Sequence, residues 1–331
     1  MAKSEQRGEG ARRRRVVAAL LVLLGVLLWA ALRDRLSQPL ELAGASAPER
    51  AEAFRVLSWN LANFRGDPDE HDLERMAEIL AELDPDVIAV QEVKDPAALA
   101  KLLPEFELRL SEAGGRGEQK LGIAYRRERV ELLAASEHPE LSLGGRVRPG
   151  LSAYVRGREG GPDLWLLVVH LKAMPSGIDQ RREQWPMLAA LAEGLPASTP
   201  GPEPDRDLLV LGDFNSTGVR SAGREGPALE QAEIAEIFAP AGLRRLVNAT
   251  GCSAYYEGAR RDAWKQPSEI DLVWARGLEG WLAPEAVLFS GTICAAQACA
   301  DARSTEAYPL RDYALVSDHC PLILDLSAPA R

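Results

Sequence analysis

Along the chain, short apolar runs alternate with stretches whose apolar positions recur every three or four residues. This is the pattern of strands interleaved with amphipathic helices. FRVLSWN (54–60), DVIAVQE (86–92), LGIAYRR (Leu121–Arg127), LSAYVRG (Leu151–Gly157) and DLWLLVVHL (Asp163–Leu171) predict strands. So do DLLVLGDFN (Asp207–Asn215), EIDLVWA (Glu269–Ala275) and CPLILDL (Cys320–Leu326). Asp72–Leu83 and Asp179–Glu193 predict helices, and Asp95 followed by Pro96 is an N-cap and first-turn pair that opens another. Gly- and Pro-rich pieces at Gly194–Pro204 and Gly218–Gly226 read as surface loops. Hairpin and crossover spacings are mixed and no internal repeat is visible. The expectation is therefore an α/β fold, sheets covered by helices, in one domain over residues 54–328.

One run does not fit that body. Val16–Leu32 (VVAALLVLLGVLLWAAL) carries no charge over 17 residues, which as a helix covers roughly 25 Å, just enough to span a bilayer. The Arg12–Arg15 block before it and Trp29 near its far end suit a membrane better than a core. The expectation is a cytoplasmic basic tail (1–15), a transmembrane anchor (16–32) and a tether (33–53) holding Pro39 and Pro48. The folded body would then be periplasmic or extracellular. A cleaved signal peptide is the competing reading, with small-x-small triplets at Ala43–Ala45 and Ala45–Ala47. They lie more than ten residues beyond the apolar run, which favours an uncleaved anchor.

Charge and cysteine content refine this picture. Of 331 residues, 39 are Lys or Arg and 49 Asp or Glu, for a net charge of −10, and the first 35 residues are basic. So acidic a body would not be drawn to nucleic acid by its overall field, so a polyanionic substrate needs a local basic patch or a metal ion. Cys252, Cys294, Cys299 and Cys320 all fall in the exported part, where disulfides are expected. Three pairings are open, with Cys294–Cys299 the shortest loop, and free buried thiols are the alternative. No Cys-x-x-Cys favours a zinc site.

Chemistry concentrates where apolar strands end. Asn60 follows VLSW, Glu92 follows VIAVQ, His170 follows LLVV, Asp213 and Asn215 follow LLVLG, Asp271 opens DLVW, and Asp318 and His319 precede CPLILDL. Taken singly, each has an ordinary structural explanation as a turn residue, a cap or a hydrogen-bonded core group. Together they are hard oxygen donors suited to Mg²⁺, with Mn²⁺ or Ca²⁺ as substitutes, joined by two of only four histidines. A cation plus imidazoles points to phosphoester hydrolysis.

The succession of Trp59-Asn60, Gln91-Glu92, His170-Leu171-Lys172, Gly212-Asp213-Phe214-Asn215, Ile270-Asp271 and Ser317-Asp318-His319 resembles the endonuclease/exonuclease/phosphatase superfamily, over about residues 54–326. The segment QEVKD (Gln91–Asp95) together with His170 is similar to deoxyribonuclease I-like bacterial members. The pattern departs from the abasic-site endonucleases at Ala62 and His170, while Arg181 and Gln184 after HLKA also resemble the deadenylases. The resemblance implies a four-layer α/β sandwich, two mainly antiparallel sheets with helices outside. It implies Asn60, Glu92 and Asp318 at the metal, with Asn60 also near the substrate. It implies Asp271 orienting His319 as acid/base group, Asp213 and Asn215 positioning water and phosphate, and His170 at the phosphate or as a second acid/base group. In the deoxyribonuclease I pattern a Glu supports that histidine, but the matching place here holds Gln119, with Glu118 one residue off. Either Glu118 substitutes or His170 stays neutral. Arg148 and Tyr154 are expected phosphate contacts.

The resulting expectation is a membrane-anchored, Mg²⁺-dependent nuclease acting on nucleic acid or another phosphodiester, with no obligate protein partner. One alternative is a phospholipid-directed enzyme of sphingomyelinase or inositol-phosphatase type, with Trp185, Tyr255, Tyr256 and Trp264 as candidate lipid-facing aromatics. The other is a silent binding module of the same fold, which the joint presence of Glu92, Asp213, Asp271 and His319 disfavours.

Overall fold

The computed structural model describes residues 53–217, 227–257, 263–282 and 286–327. The expected basic tail, anchor and nearly all of the tether lie outside the described residues. Among those described, no helix is long and apolar enough to cross a membrane.

In chain order the described strands are β1 (Phe54–Asn60), β2 (Val87–Val93), β3 (Phe106–Leu110), β4 (Lys120–Arg126), β5 (Val130–His138), β6 (Gly150–Gly157), β7 (Asp163–His170) and β8 (Leu208–Asp213). They continue with β9 (Arg244–Arg245), β10 (Val247–Asn248), β11 (Ala254–Glu257), β12 (Trp264–Ser268), β13 (Asp271–Arg276), β14 (Val287–Ser290), β15 (Ala302–Arg303) and β16 (Leu322–Leu326). One sheet runs β10-β14-β16-β1-β2-β4-β3 and the other β5-β6-β7-β8-β13-β9; β11, β12 and β15 form a small third sheet. Most pairings are antiparallel, the parallel exceptions being β1 with β2, β7 with β8 and β10 with β14.

Side chains alternate across a strand, so each large sheet has an inner and an outer face. Val56 of β1, Val87 and Ala89 of β2, Leu166 and Val168 of β7, Leu209 and Leu211 of β8 and Val273 of β13 share one core between the two sheets. The opposite parity faces helices. Leu57, Trp59, Ile88 and Val90 pack with Met76 and Ile79 of α1 (Leu73–Leu83), and with Leu99 of α2 (Pro96–Leu102). Trp165, Leu167, Val210 and Trp274 pack with Trp185 and Leu188 of α3 (Ile178–Gly194), and with Ile234 of α4 (Pro227–Phe238). Both faces of each sheet are thereby apolar, which is why the central strands read as continuous hydrophobic runs. Each such Leu, Val or Ile contributes roughly 1.5–3 kcal/mol on burial.

The helix starts are set by the residues that sequence reading singles out. Asp72 accepts from the Arg75 amide and Asp95 from the Ala97 and Ala98 amides, with Pro96 in the first turn. The chain leaves α1 through Asp84 at φ 42°, directly before Pro85.

The cysteines adopt one of the three pairings left open by the sequence. The disulfides are Cys252–Cys299 and Cys294–Cys320, and no free thiol remains. The physical reason lies in α5 (Thr292–Ala296), a short helix that packs with Tyr255, Ala302 and Cys320 in a small separate core. It turns Cys294 toward the strand-entry segment at 320 and leaves Cys299 for the β11 entry. A further one-turn helix, α6 (Arg311–Leu315), leads back into that segment.

Candidate active site

The inner-face parity continues to the strand ends and there changes from apolar to polar. His170 continues Leu166 and Val168, Asp213 continues Leu209 and Leu211, and Asp271 precedes Val273 and Ala275 on the same face. Register places them in one row across the sheet, His170 opposite Asp213 and Asp213 opposite Asp271. From the facing sheet, Asn60 continues Phe54 and Val56 inward and its Nδ2 donates to Asp213 Oδ2 at 3.1 Å. The two sheets therefore meet at this rim through polar groups instead of aliphatic ones.

Glu92 breaks the parity rule. Gln91 holds the inward position after Ala89, so an undisturbed β2 would turn Glu92 toward the helices. A register shift against β4 between Val90 and Val93, with Glu92 itself at φ 62°, swings the carboxylate to the rim instead. There Oε2 accepts the Asn63 amide at 2.8 Å and Oε1 lies 3.4 Å from Asn60 Nδ2 and 3.7 Å from His170 Nε2. Gly212 explains the first letter of the Gly-Asp-Phe-Asn motif. It sits at φ 134°, and a Cβ there would meet the Val169 carbonyl oxygen at 2.1 Å.

His319 Nδ1 lies 2.9 and 3.1 Å from the two oxygens of Asp271, and its Nε2 lies 3.9 Å from Asp213 Oδ2. Burial disfavours its imidazolium. Asp271, by charge and hydrogen bond, aided by Asp318 and Asp213, outweighs that and holds the His319 pKa well above the ordinary histidine value. Asp213 is buried beside these carboxylates. Desolvation, with Asp271 and Glu92 adding repulsion against the pull of His319, pushes it up to about 7.

His170 behaves differently. Its Nε2 faces Asp213 Oδ2 at 3.2 Å, while its Nδ1 is buried with no hydrogen-bond partner. Burial, then the charges of Arg148 and His319, lower its pKa well below the usual value, so it is a neutral donor toward Asp213. Glu118 is exposed and does not substitute for the missing carboxylate. Gln119 does not reach the ring either; it donates to Asn63 Oδ1 and accepts from Arg148 Nη1.

The structure thus brings together Asn60, Glu92, His170, Asp213, Asp271 and His319. Asn215 stands beside them, its amide on Asp213 Oδ1 at 2.8 Å and its side chain on the Leu171 carbonyl. Asp318 lines the cleft that Glu92 and His319 also line, a hollow of about 660 Å³ with Asn63, His71 and Lys94 on its walls. A second hollow of similar size, between α1 and α2, holds none of these residues.

One expectation is corrected. Tyr154 is not at the site: it lies on the outer, helix-facing parity of β6, tilted against Trp165, with its hydroxyl donating to Asp205 Oδ2 at 2.6 Å. Arg148 is adjacent to the site, three of its five guanidinium N–H groups donating to the carbonyls of His170 and Leu171 and the side chain of Gln119. It braces the chain leaving β7. Of the candidate lipid-facing aromatics, Trp185 and Tyr255 are core, while Tyr256 and Trp264 are about half exposed.

Sequence reading missed Ser253. Its buried hydroxyl accepts the amides of Ile270 and Asp271, and its carbonyl accepts the amide of Cys320, so it ties Asp271 and the residue after His319 to one position. Ser317 was quoted only as part of a motif; its hydroxyl donates to the Asn60 carbonyl and accepts the His319 amide. A lone Ser beside a Cys gives no periodic or compositional signal.

Four carboxylates, Glu92, Asp213, Asp271 and Asp318, surround this rim, and of the two histidines beside them the pKa of His319 is raised while that of His170 is lowered. That donor set fits a hard divalent ion. The tightest group of donors, all within 4.8 Å, is Asp213, Asp271 and His319. Their ligand atoms are already engaged with one another, whereas Glu92 and Asp318 face the cleft.

The model of the endonuclease/exonuclease/phosphatase family matches residues 57–319, spanning every one of these groups. The chain belongs to that family. Its members in solved structures share the fold at low identity. TDP2 of D. rerio, in complex with a single-strand DNA product, superposes with a TM-score of 0.56 at 18% identity, over 84% of this chain and 100% of that one. The human Nocturnin catalytic domain gives 0.54 at 18%, over 84% and 94%. The Bacteroides thetaiotaomicron mannosyl-6-phosphatase gives 0.56 at 17%, over 83% and 99%. No curated protein sequence matches the chain. Family membership makes it a phosphoester hydrolase by kinship, with the substrate left to the site itself.

Proposed function

We propose that this protein is an exported, membrane-anchored phosphodiesterase dependent on a hard divalent cation, Mg²⁺ first, and that its substrate is nucleic acid. The observation that carries the reading is the buried Asp271–His319 pair set against Asp213 and facing Glu92 at one rim. A binding protein has no use for a carboxylate held near 7 beside an imidazolium.

Each group has a task its surroundings suit. Asp213 is the base poised to take a proton from the attacking water, with the Asn215 amide fixing its second oxygen. His319, kept protonated by Asp271, is the acid that faces the developing charge. His170, neutral and donating through Nε2, orients Asp213. Glu92, Asp318 and Asn60 would hold the cation, which supplies Lewis-acid stabilisation of phosphate charge when bound.

Nucleic acid is favoured because a TDP2 of the same fold carries a single-strand DNA product. Export is supported by the pairing of all four cysteines, and the anchor by the uncharged run at 16–32 behind its arginine block. A phospholipid substrate is the second reading, favoured by the exposure of Tyr256, which follows Tyr255, whose amide donates to the Asp318 carbonyl. The test offers the full chain in detergent plasmid DNA, RNA, sphingomyelin vesicles and bis(p-nitrophenyl) phosphate, with Mg²⁺ or with chelator. Mg²⁺-dependent cleavage of DNA or RNA, abolished in Glu92→Gln, is expected. Cleavage of lipid alone overturns the nuclease reading, and no cleavage of any substrate overturns the enzyme reading.

A further inference from the structure

We propose that His71 is a positioning residue for the cation-binding edge of the cleft, acting on Glu92 and Asn60 through the turn after β1. His71 is almost fully buried between β1 and α1. Its Nε2 lies 3.2 Å from the Leu61 carbonyl oxygen and 3.3 Å from that of Ala62. Both neighbours are acceptors, so Nε2 carries the proton and one N–H is shared between two consecutive carbonyls. Phe64 meets the ring edge-on with centroids 5.2 Å apart, which fixes its plane.

The turn that His71 grips is an unusual one. Ala62 and Asn63 are consecutive non-glycine residues in the left-handed region, at φ 50° and 61°. Such a pair is costly and persists only where its surroundings enforce it. The return is geometric. In this conformation the Ala62 amide reaches Asn60 Oδ1 at 3.0 Å and the Asn63 amide reaches Glu92 Oε2 at 2.8 Å. The turn thus donates one N–H to each of two residues assigned to the cation, and His71 holds the carbonyls on the other side of the same peptide units.

His71 itself gains little from its position. Its Nδ1 is buried with no hydrogen-bond partner, a cost that an apolar side chain of similar size would avoid. Among the described residues nothing else bonds the Leu61 and Ala62 carbonyls through a side chain. The ring also lines the cleft that contains Glu92, Asp318 and His319. The imidazole is therefore placed where it shapes the ligand turn without touching the reacting groups.

This inference rests on the metal-dependent reading above, and its test separates the two. Mn²⁺ binding to the full chain is measured by calorimetry, and the Mn²⁺ concentration giving half-maximal cleavage of bis(p-nitrophenyl) phosphate is measured alongside. His71→Gln keeps an amide N–H near the place of Nε2, whereas His71→Asn is one bond shorter and His71→Leu has no donor. Leu and Asn are expected to weaken Mn²⁺ binding about tenfold, the lower end of the loss when partners of metal ligands are removed. Gln should retain most of the affinity, and kcat at saturating Mn²⁺ should change little in all three. Equal affinity in the Gln and Asn variants, or a loss of kcat with unchanged Mn²⁺ affinity, overturns the proposal. Should Leu fail to fold, the Gln and Asn pair decides alone. Wild-type protein that binds no Mn²⁺ would instead overturn the metal-dependent function.

Discussion

Replacing Asp271 with Asn removes one charge and keeps nearly the same shape, so its effect isolates the electrostatic support of His319. The two side chains meet at 2.9 and 3.1 Å, and Asp271 is 2% exposed. At such separations and an effective dielectric of about 20, the attraction is on the order of 5 kcal/mol. The amide retains some hydrogen bonding, but it turns an N–H toward Nδ1 or leaves a weaker acceptor there, so about 3–5 kcal/mol of transition-state support is lost. That is a fall in kcat of roughly 10²- to 10⁴-fold. Because Asp271 raises the His319 pKa, the alkaline limb of the kcat profile should also move to lower pH in the variant. The stability consequence has a definite sign. A raised histidine pKa stabilises the fold below the unfolded value of about 6.5 and loses that contribution as pH climbs through the folded value. The melting-temperature deficit of Asp271→Asn should thus be largest in mild acid and shrink in alkali. Rates on bis(p-nitrophenyl) phosphate from pH 5 to 10, with thermal melts at each pH, give the answer. Activity within threefold of wild type and an unmoved alkaline limb would refute the reasoning.

Three other outcomes follow from the geometry. The chain-entropy relation assigns about 4 kcal/mol to Cys252–Cys299, separated by 47 residues, and about 3.5 kcal/mol to Cys294–Cys320, separated by 26. Dithiothreitol should therefore lower the melting temperature and also cut activity, since Cys320 adjoins His319 and Cys252 adjoins Ser253; an unchanged rate in fully reduced protein contradicts this. Gly212→Ala places a methyl 2.1 Å from the Val169 carbonyl oxygen at a φ of 134° and should cost at least about 3 kcal/mol, read from urea unfolding midpoints. Tyr154→Phe should leave kcat and KM unchanged and lose about 1 kcal/mol of stability with the Asp205 hydrogen bond; a raised KM would restore it to the substrate site.

Strand parity accounts for what could be read in advance. Asn60, His170, Asp213 and Asp271 extend the inward series of their own strands, so a polar group ending each apolar run was enough to bring them to one rim. The same rule, applied to β6, places Tyr154 with the helix-facing residues, opposite in parity to Ala153 and Val155. Glu92 was picked out because it ends an apolar run, but parity alone would have turned it away from the rim, because a register shift is a property of paired strands and leaves no mark in one of them. The disulfide pairing was open for a related reason: it depends on the packing of α5, which separation along the chain does not reveal. Ser253, Asn63 and His71 act through backbone amides and carbonyls, which no pattern of side chains announces.

The extra residue in β2 bears on any attempt to transplant this cleft. Copying the acidic, amide and imidazole side chains onto a regular two-sheet scaffold would reproduce every identity and still leave the glutamate pointing into the helical layer. A graft needs the irregularity itself, one residue out of step with its neighbour, because that step is what carries Glu92 to the rim.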